Sequence, residues 1–133
     1  MKQGNIFRCN ACKNLIEVLV VGFGELVCCG EPMELIEGQK EEGGKEKHLP
    51  TIRETEGGVI IEVGSTLHPM EKDHHIQWIE LVIDNMSYRK FLNPDDKPIA
   101  KFNIDLSEGK IGQIEAREFC NLHGLWSTTR QYN

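Results

Sequence analysis

The residues able to bind metal fall into two groups of different chemistry. Cys9, Cys12, Cys28 and Cys29 lie within a short first segment that contains no histidine. His48, His68, His74, His75 and His123 all come later, together with the one remaining thiol, Cys120. One group is pure sulfur and the other is rich in imidazole, so two sites are expected. Cys9-x-x-Cys12 can place two thiolates on one metal, because a two-residue spacer forms a tight knuckle whose amides point at the sulfurs. Cys28-Cys29 is less regular. Adjacent residues of a strand point to opposite faces, so both reach one metal only if the backbone distorts, which Gly30 permits. Four thiolates suit tetrahedral iron or zinc, and spacing alone does not choose between them. A disulfide reading is weaker, since it needs an oxidising compartment.

The second group is spread more widely. His68-Pro69-Met70-Glu71-Lys72-Asp73-His74-His75 and Cys120-Asn121-Leu122-His123 carry most of it, and Glu46-Lys47-His48-Leu49-Pro50 precedes them. Taken singly, each histidine is as ordinary as any surface or core imidazole. Cys120-x-x-His123, however, sits where a strand turns into a loop, a spacing that brings thiolate and imidazole to one centre. Several neutral imidazoles with one soft thiolate suit iron, zinc or copper.

The elements that must hold these groups are strands. Ile6-Phe7-Arg8, Leu15 to Val21, Glu25-Leu26-Val27 and Met33 to Ile36 read as short strands, with Gly22 and Gly24 marking a turn. A segment of this size buries little core and needs a staple. The polar, glycine-containing stretch 37–45 reads as a linker. Beyond it, Gly58 to Val63, Gln77 to Ile83, Ser87 to Leu92, Ile99 to Leu106 and Gly112 to Phe119 carry β-branched or alternating patterns. The last of these is expected to end at Cys120. The expected fold class is all-β: a small metal-binding lobe, 1–36, then the linker, then an immunoglobulin-like β-sandwich, 46–133. No long amphipathic helix and no internal repeat is expected.

Composition narrows the use of these sites. The chain has 133 residues, 15 basic and 21 acidic, a formal charge of −6. Such a balance disfavours nucleic acid and anionic membranes as partners. At 39% hydrophobic and 27% charged it suits a folded globular protein. No run approaches a membrane span and no apolar leader opens the chain, so a cytoplasmic address is expected. In that reducing setting clustered thiols more often bind metal than pair.

Longer motifs add a resemblance. Cys9-x-x-Cys12 followed by Gly24-Glu25-Leu26-Val27-Cys28-Cys29-Gly30-Glu31-Pro32-Met33 resembles the desulforedoxin-like lobe of desulfoferrodoxin. Lys45-Glu46-Lys47-His48-Leu49-Pro50, His68-Pro69-Met70-Glu71, Trp78-Ile79-Glu80-Leu81 and Cys120-Asn121-Leu122-His123-Gly124-Leu125-Trp126 resemble its catalytic domain. The match covers nearly the whole chain in the right order. That family is the two-iron form of superoxide reductase, which reduces superoxide to hydrogen peroxide without making dioxygen. The resemblance implies that Cys9, Cys12, Cys28 and Cys29 bind a rubredoxin-like first iron. It implies His48, His68, His74 and His123 as equatorial ligands of a second iron, with Cys120 as the axial sulfur. It places Glu46 and Lys47 beside an open sixth position, Glu46 becoming the sixth ligand in the ferric state. Spacing from His68-Pro69-Met70 picks His74 over His75. The resemblance further implies rubredoxin as electron donor and a homodimer. Competing readings are a non-catalytic electron-transfer iron protein, a zinc-stapled binding module and a superoxide dismutase.

Overall fold

The computed structural model describes residues 1–41, 47–64, 68–106 and 111–131. Among them every regular element is a strand, and the chain divides into two compact units, Met1–Glu37 and Gly38–Asn133. The described residues contain no helix long and apolar enough to cross a membrane.

The first unit contains β1 (Ile6–Arg8), β2 (Leu15–Glu17), β3 (Val27–Cys28), β4 (Glu31–Pro32) and β5 (Glu34–Ile36). β1 lies between β2 and β5 in an antiparallel sheet, and β3 pairs with β4 as a separate hairpin. Its buried apolar side chains are Ile6, Cys9 and Val18. So small a core gives little hydrophobic stabilisation, at roughly 25 cal/mol per Å² of buried apolar surface. Sulfur ligation is therefore part of what holds this unit together. The expected strand from Leu15 to Val21 stops at Glu17, because β1 has only three residues to pair with it. Val18 then bonds back to Gly4 and Asn5, and Leu19, Val20 and Val21 are exposed.

The second unit holds β6 (Pro50–Thr55), β7 (Gly58–Val63), β8 (Ile76–Ile83), β9 (Met86–Phe91), β10 (Ile99–Phe102), β11 (Gln113–Cys120) and β12 (Gly124–Gln131). They form two antiparallel sheets, ordered β10-β7-β6 and β12-β11-β8-β9. Ile52, Val59, Ile61, Val63 and Ala100 of the first sheet meet Ile79, Leu81, Ile83, Ile114 and Ala116 of the second in one core. Seven strands split three and four around such a core make the expected sandwich. β8 is buried on both faces. Its outward Glu80, 1% exposed, stands opposite Arg89 on β9 and Arg117 on β11 and pairs with both. The Arg89 guanidinium also lies 4.9 Å from the centre of the Trp78 ring.

In the first unit the expected strand Glu25-Leu26-Val27 is also displaced, pairing only at Val27–Cys28, and three features of the second unit differ from the reading of the sequence. β6 and β12 are present although neither was anticipated, and the expected strand from Ile99 to Leu106 pairs only as far as Phe102. β6 and β12 are edge strands, and the second half of β12 is exposed and polar, so their hydrophobic signal is weak. Gln39, in the stretch read as a linker, bonds through its backbone to Leu125 and Ser127. The adjacent Gly38 is required there, since a Cβ would lie 2.7 Å from that of Ser127. Residues 42–46, which include Glu46, lie outside the described residues, as do 107–110 of the stretch before β11.

Candidate metal centres

In the first unit the knuckle follows β1. The Cys9 carbonyl accepts from the Lys13 N–H at 2.9 Å, and the Cys12 N–H points at the Cys9 sulfur at 3.4 Å. At the second pair of cysteines the backbone distorts as required. Cys29 has φ +53° and Gly30 has φ +75°, two successive left-handed residues that break the strand's alternation. Cys12 and Cys28 sulfurs consequently lie 3.6 Å apart and those of Cys28 and Cys29 4.0 Å. All four sulfurs lie within 4.8 Å of one another. A tetrahedron with metal–sulfur bonds of about 2.3 Å has edges of about 3.8 Å, so the cage has the size of a metal site.

The protonation of these thiols carries the same message. The Cys12 backbone N–H, the Cys9 sulfur's foremost partner, draws the Cys9 thiol down to about 6. Cys29 is pushed up to about 12, first by its interaction with Cys12 and then by Cys28 and Cys9, and Cys28 is raised chiefly by Cys9. One thiolate forms readily and its neighbours then resist ionising, because their thiols are engaged in hydrogen bonds with the surrounding sulfurs and the charge at Cys12 adds repulsion. A cation among them removes that resistance.

The second cluster lies at one end of the sandwich. Pro50 pairs with Val63, and Cys120 pairs with both Ile76 and Gly124, so the start of β6, the end of β7, the start of β8 and the β11–β12 turn converge. His48 precedes β6, His68 follows β7, and His74 precedes β8 in a turn closed by reciprocal bonds with Glu71. Cys120 ends β11, where the pairing with β8 slips by one residue, an irregularity that re-aims a side chain. His123 stands in the turn that follows.

Four rings close a square. Centroids of His48 and His68 are 4.7 Å apart, His68 and His74 4.7 Å, His74 and His123 5.2 Å, and His123 and His48 4.8 Å. The His48 Nε2 and His123 Nδ1 are 3.1 Å apart. Two nitrogens bound at right angles by bonds of about 2.1 Å would be about 3.0 Å apart. The Cys120 sulfur is 3.6 Å from the His68 Nε2 and 3.8 Å from the His123 Nδ1. The His68 Nδ1 lies 2.7 Å from the Pro69 carbonyl, which keeps a proton on that nitrogen and turns Nε2 toward the cluster. Cys120 is fully buried, His48 and His68 are buried and His123 is exposed, so the cluster reaches solvent at its His123 side.

All nine expected cysteine and histidine ligands are thus gathered, in two clusters, and His75 falls outside both. Lys47 directly precedes His48 and is partly exposed. Two further residues support the second cluster, neither given a role by the sequence. Trp126 stacks on His48 at 4.7 Å and 12°, and its Nε1–H donates to the His123 carbonyl at 3.2 Å. The Gln39 Nε2 donates to the same carbonyl at 2.8 Å. A tryptophan three residues past a ligand was the available signal for the first; nothing around Gln39 announced the second.

Fold and donor sets together define a class: an all-β protein with one centre of four cysteines and another of four histidines and a cysteine. The Desulfoferrodoxin family matches residues 40–129, and the family Desulfoferrodoxin, N-terminal domain, matches residues 1–36. The desulfoferrodoxin of Nitratidesulfovibrio vulgaris is 52% identical over 124 residues, covering 93% of this chain and 94% of that one. A superoxide reductase of Pyrococcus horikoshii is 33% identical over 102 residues, 65% of this chain and 87% of that one. The crystal structure of the superoxide reductase from Treponema pallidum superposes with a TM-score of 0.75 at 26% identity, covering 93% and 96% of the two chains. The chain belongs to the desulfoferrodoxin family. Its two clusters match that family's two iron centres.

Proposed function

We propose that the chain is a superoxide reductase. It combines superoxide, one electron and two protons to give one molecule of hydrogen peroxide, with no dioxygen released. The observation that carries this reading is the square of four imidazoles with the buried Cys120 thiol beside it. The iron supplies one-electron chemistry when bound, and a thiolate ligand donates electron density to it.

The residues around it define the rest. In this proposal His48, His68, His74, His123 and Cys120 would hold the second iron, through four imidazole nitrogens and one sulfur. Neutral imidazoles and a single thiolate leave a divalent ion with net positive charge, attractive to a small anion. Lys47 adds a local cation beside His48 and focuses superoxide on the site, although the surrounding chain is acidic. Glu46, two residues before His48 in the chain, would supply a further carboxylate ligand to the oxidised iron in this proposal. Protons arrive through water at the exposed His123 rim. Cys9, Cys12, Cys28 and Cys29 hold the first iron in a lobe spanning 1–36, which a linker over 37–45 joins to the catalytic domain over 46–133.

The electron donor in this reading is a rubredoxin, the address is the cytoplasm, and the protein works as a homodimer. Exposed Leu19, Val20 and Phe23 support contact with a second copy. Azide or cyanide added to the iron-loaded protein tests the central reading. With the iron reduced, an altered absorption of the second centre is expected, because a position that Glu46 leaves open accepts an anion. No change in the presence of saturating anion would mark a closed, purely electron-carrying centre and overturn the proposal.

A further inference from the structure

Cys120 ends β11 and His123 stands in the turn to β12, and Asn121 between them bonds to the residues on either side of His74. The Asn121 Oδ1 accepts from the His75 backbone N–H at 2.9 Å. Its Nδ2 donates to the Asp73 carbonyl at 2.9 Å, and its own backbone N–H donates to the His75 carbonyl at 3.2 Å. These bonds bracket His74 on both sides. The reciprocal Glu71–His74 pair closes the local turn but does not extend to Cys120 or His123. Ladder pairing of β8 with β11 starts at Ile76, after His74 has been passed.

We propose that Asn121 is a positioning residue of the second metal centre. It holds the His74 segment in register with the Cys120–His123 turn, so that the rings converge before metal arrives. This rests on reading the cluster as a metal centre. A side-chain amide fits the task because it offers an acceptor and a donor at once. Aspartate keeps the acceptor and loses the donor; alanine loses both. Without the clip, metal must itself order the His74 segment, and that ordering weakens its hold. Groups that orient metal ligands typically contribute about 10–100-fold in affinity or activity.

The test follows iron loss from the full, iron-loaded chain to a strong chelator, reading each centre by its own thiolate charge-transfer absorption. Asn121→Ala is expected to lose iron from the second centre about tenfold faster or more, with its absorption shifted in energy. The four-cysteine centre should lose iron at the wild-type rate. Leu122→Ala, which removes a side chain 60% exposed in the same turn, should behave as wild type at both centres. Asn121→Asp should fall between, and it decides the question if Asn121→Ala does not fold. Wild-type release from the second centre in the alanine variant, or equal acceleration at both centres, would overturn the proposal. Superoxide plays no part in this readout. Failure of the functional reading would instead appear as a wild-type chain that holds its iron yet leaves superoxide unreduced.

Discussion

His74 and His75 are neighbours in the chain, yet only one belongs to the second cluster. His74→Gln is expected to remove the second iron and its charge-transfer absorption, while His75→Gln keeps both; metal analysis and the visible spectrum check this. A His75 variant that lost the iron would reverse the assignment. Lys47 is a different kind of residue, since it acts on the substrate's approach. Lys47→Ala should slow the second-order reaction with superoxide several-fold at low salt and flatten its ionic-strength dependence. An unchanged rate at low salt would remove it from the site. The two clusters were legible in the sequence because soft donors are few, and Cys9-x-x-Cys12 and Cys120-x-x-His123 carry their own geometry. So was the need for a distorted backbone at Cys28-Cys29, which φ of +53° at Cys29 meets. Gln39 was not legible. Its contact with the His123 carbonyl depends on a pairing across the chain, 84 residues apart, that no local pattern records.

Among the elements, β8 shows how a central strand tolerates a charge. Glu80 is buried between Arg89 and Arg117 on the flanking strands, in direct register with both. Glu80→Ala would leave two guanidinium groups without their shared carboxylate and is expected to cost about 3 kcal/mol in denaturant unfolding. A loss under about 1 kcal/mol would mean that water screens the trio as it does a surface pair. The small lobe answers to pH. In the metal-free lobe Cys28 and Cys29 are raised, so both are thiols at neutral pH, whereas the lowered Cys9 ionises above about 6. Binding must release the protons of Cys28 and Cys29, so apparent metal affinity at this centre should rise with pH through the neutral range. Chelator competition at about one pH unit below and about one above neutrality checks this; equal affinities would contradict it. The strands of the sandwich interior, β7, β8 and β11, were legible because they bury apolar residues on a regular pattern. The edge strands differed: β9 and β10 were legible, whereas β6 opens on a proline and carries charged and threonine residues, and β12 ends in a polar run, so neither showed a strand pattern.

The whole molecule consists of two units, each with its own ligand set drawn from its own strands. The first has three buried apolar side chains and leans on its metal; the second has a continuous core and holds its cluster at one end. The division into a sulfur site and an imidazole site was visible in the order of cysteines and histidines alone. What spacing could not supply was the metal, because iron and zinc accept the same thiolate cage; family membership supplies it. Anaerobic pulse radiolysis of the fully reduced, two-iron protein tests the central claim most directly, with peroxide and dioxygen both counted. The account requires one hydrogen peroxide for each superoxide consumed, with oxidation of the second centre and no dioxygen. Dioxygen appearing alongside peroxide, or superoxide decaying at its uncatalysed rate, would contradict it.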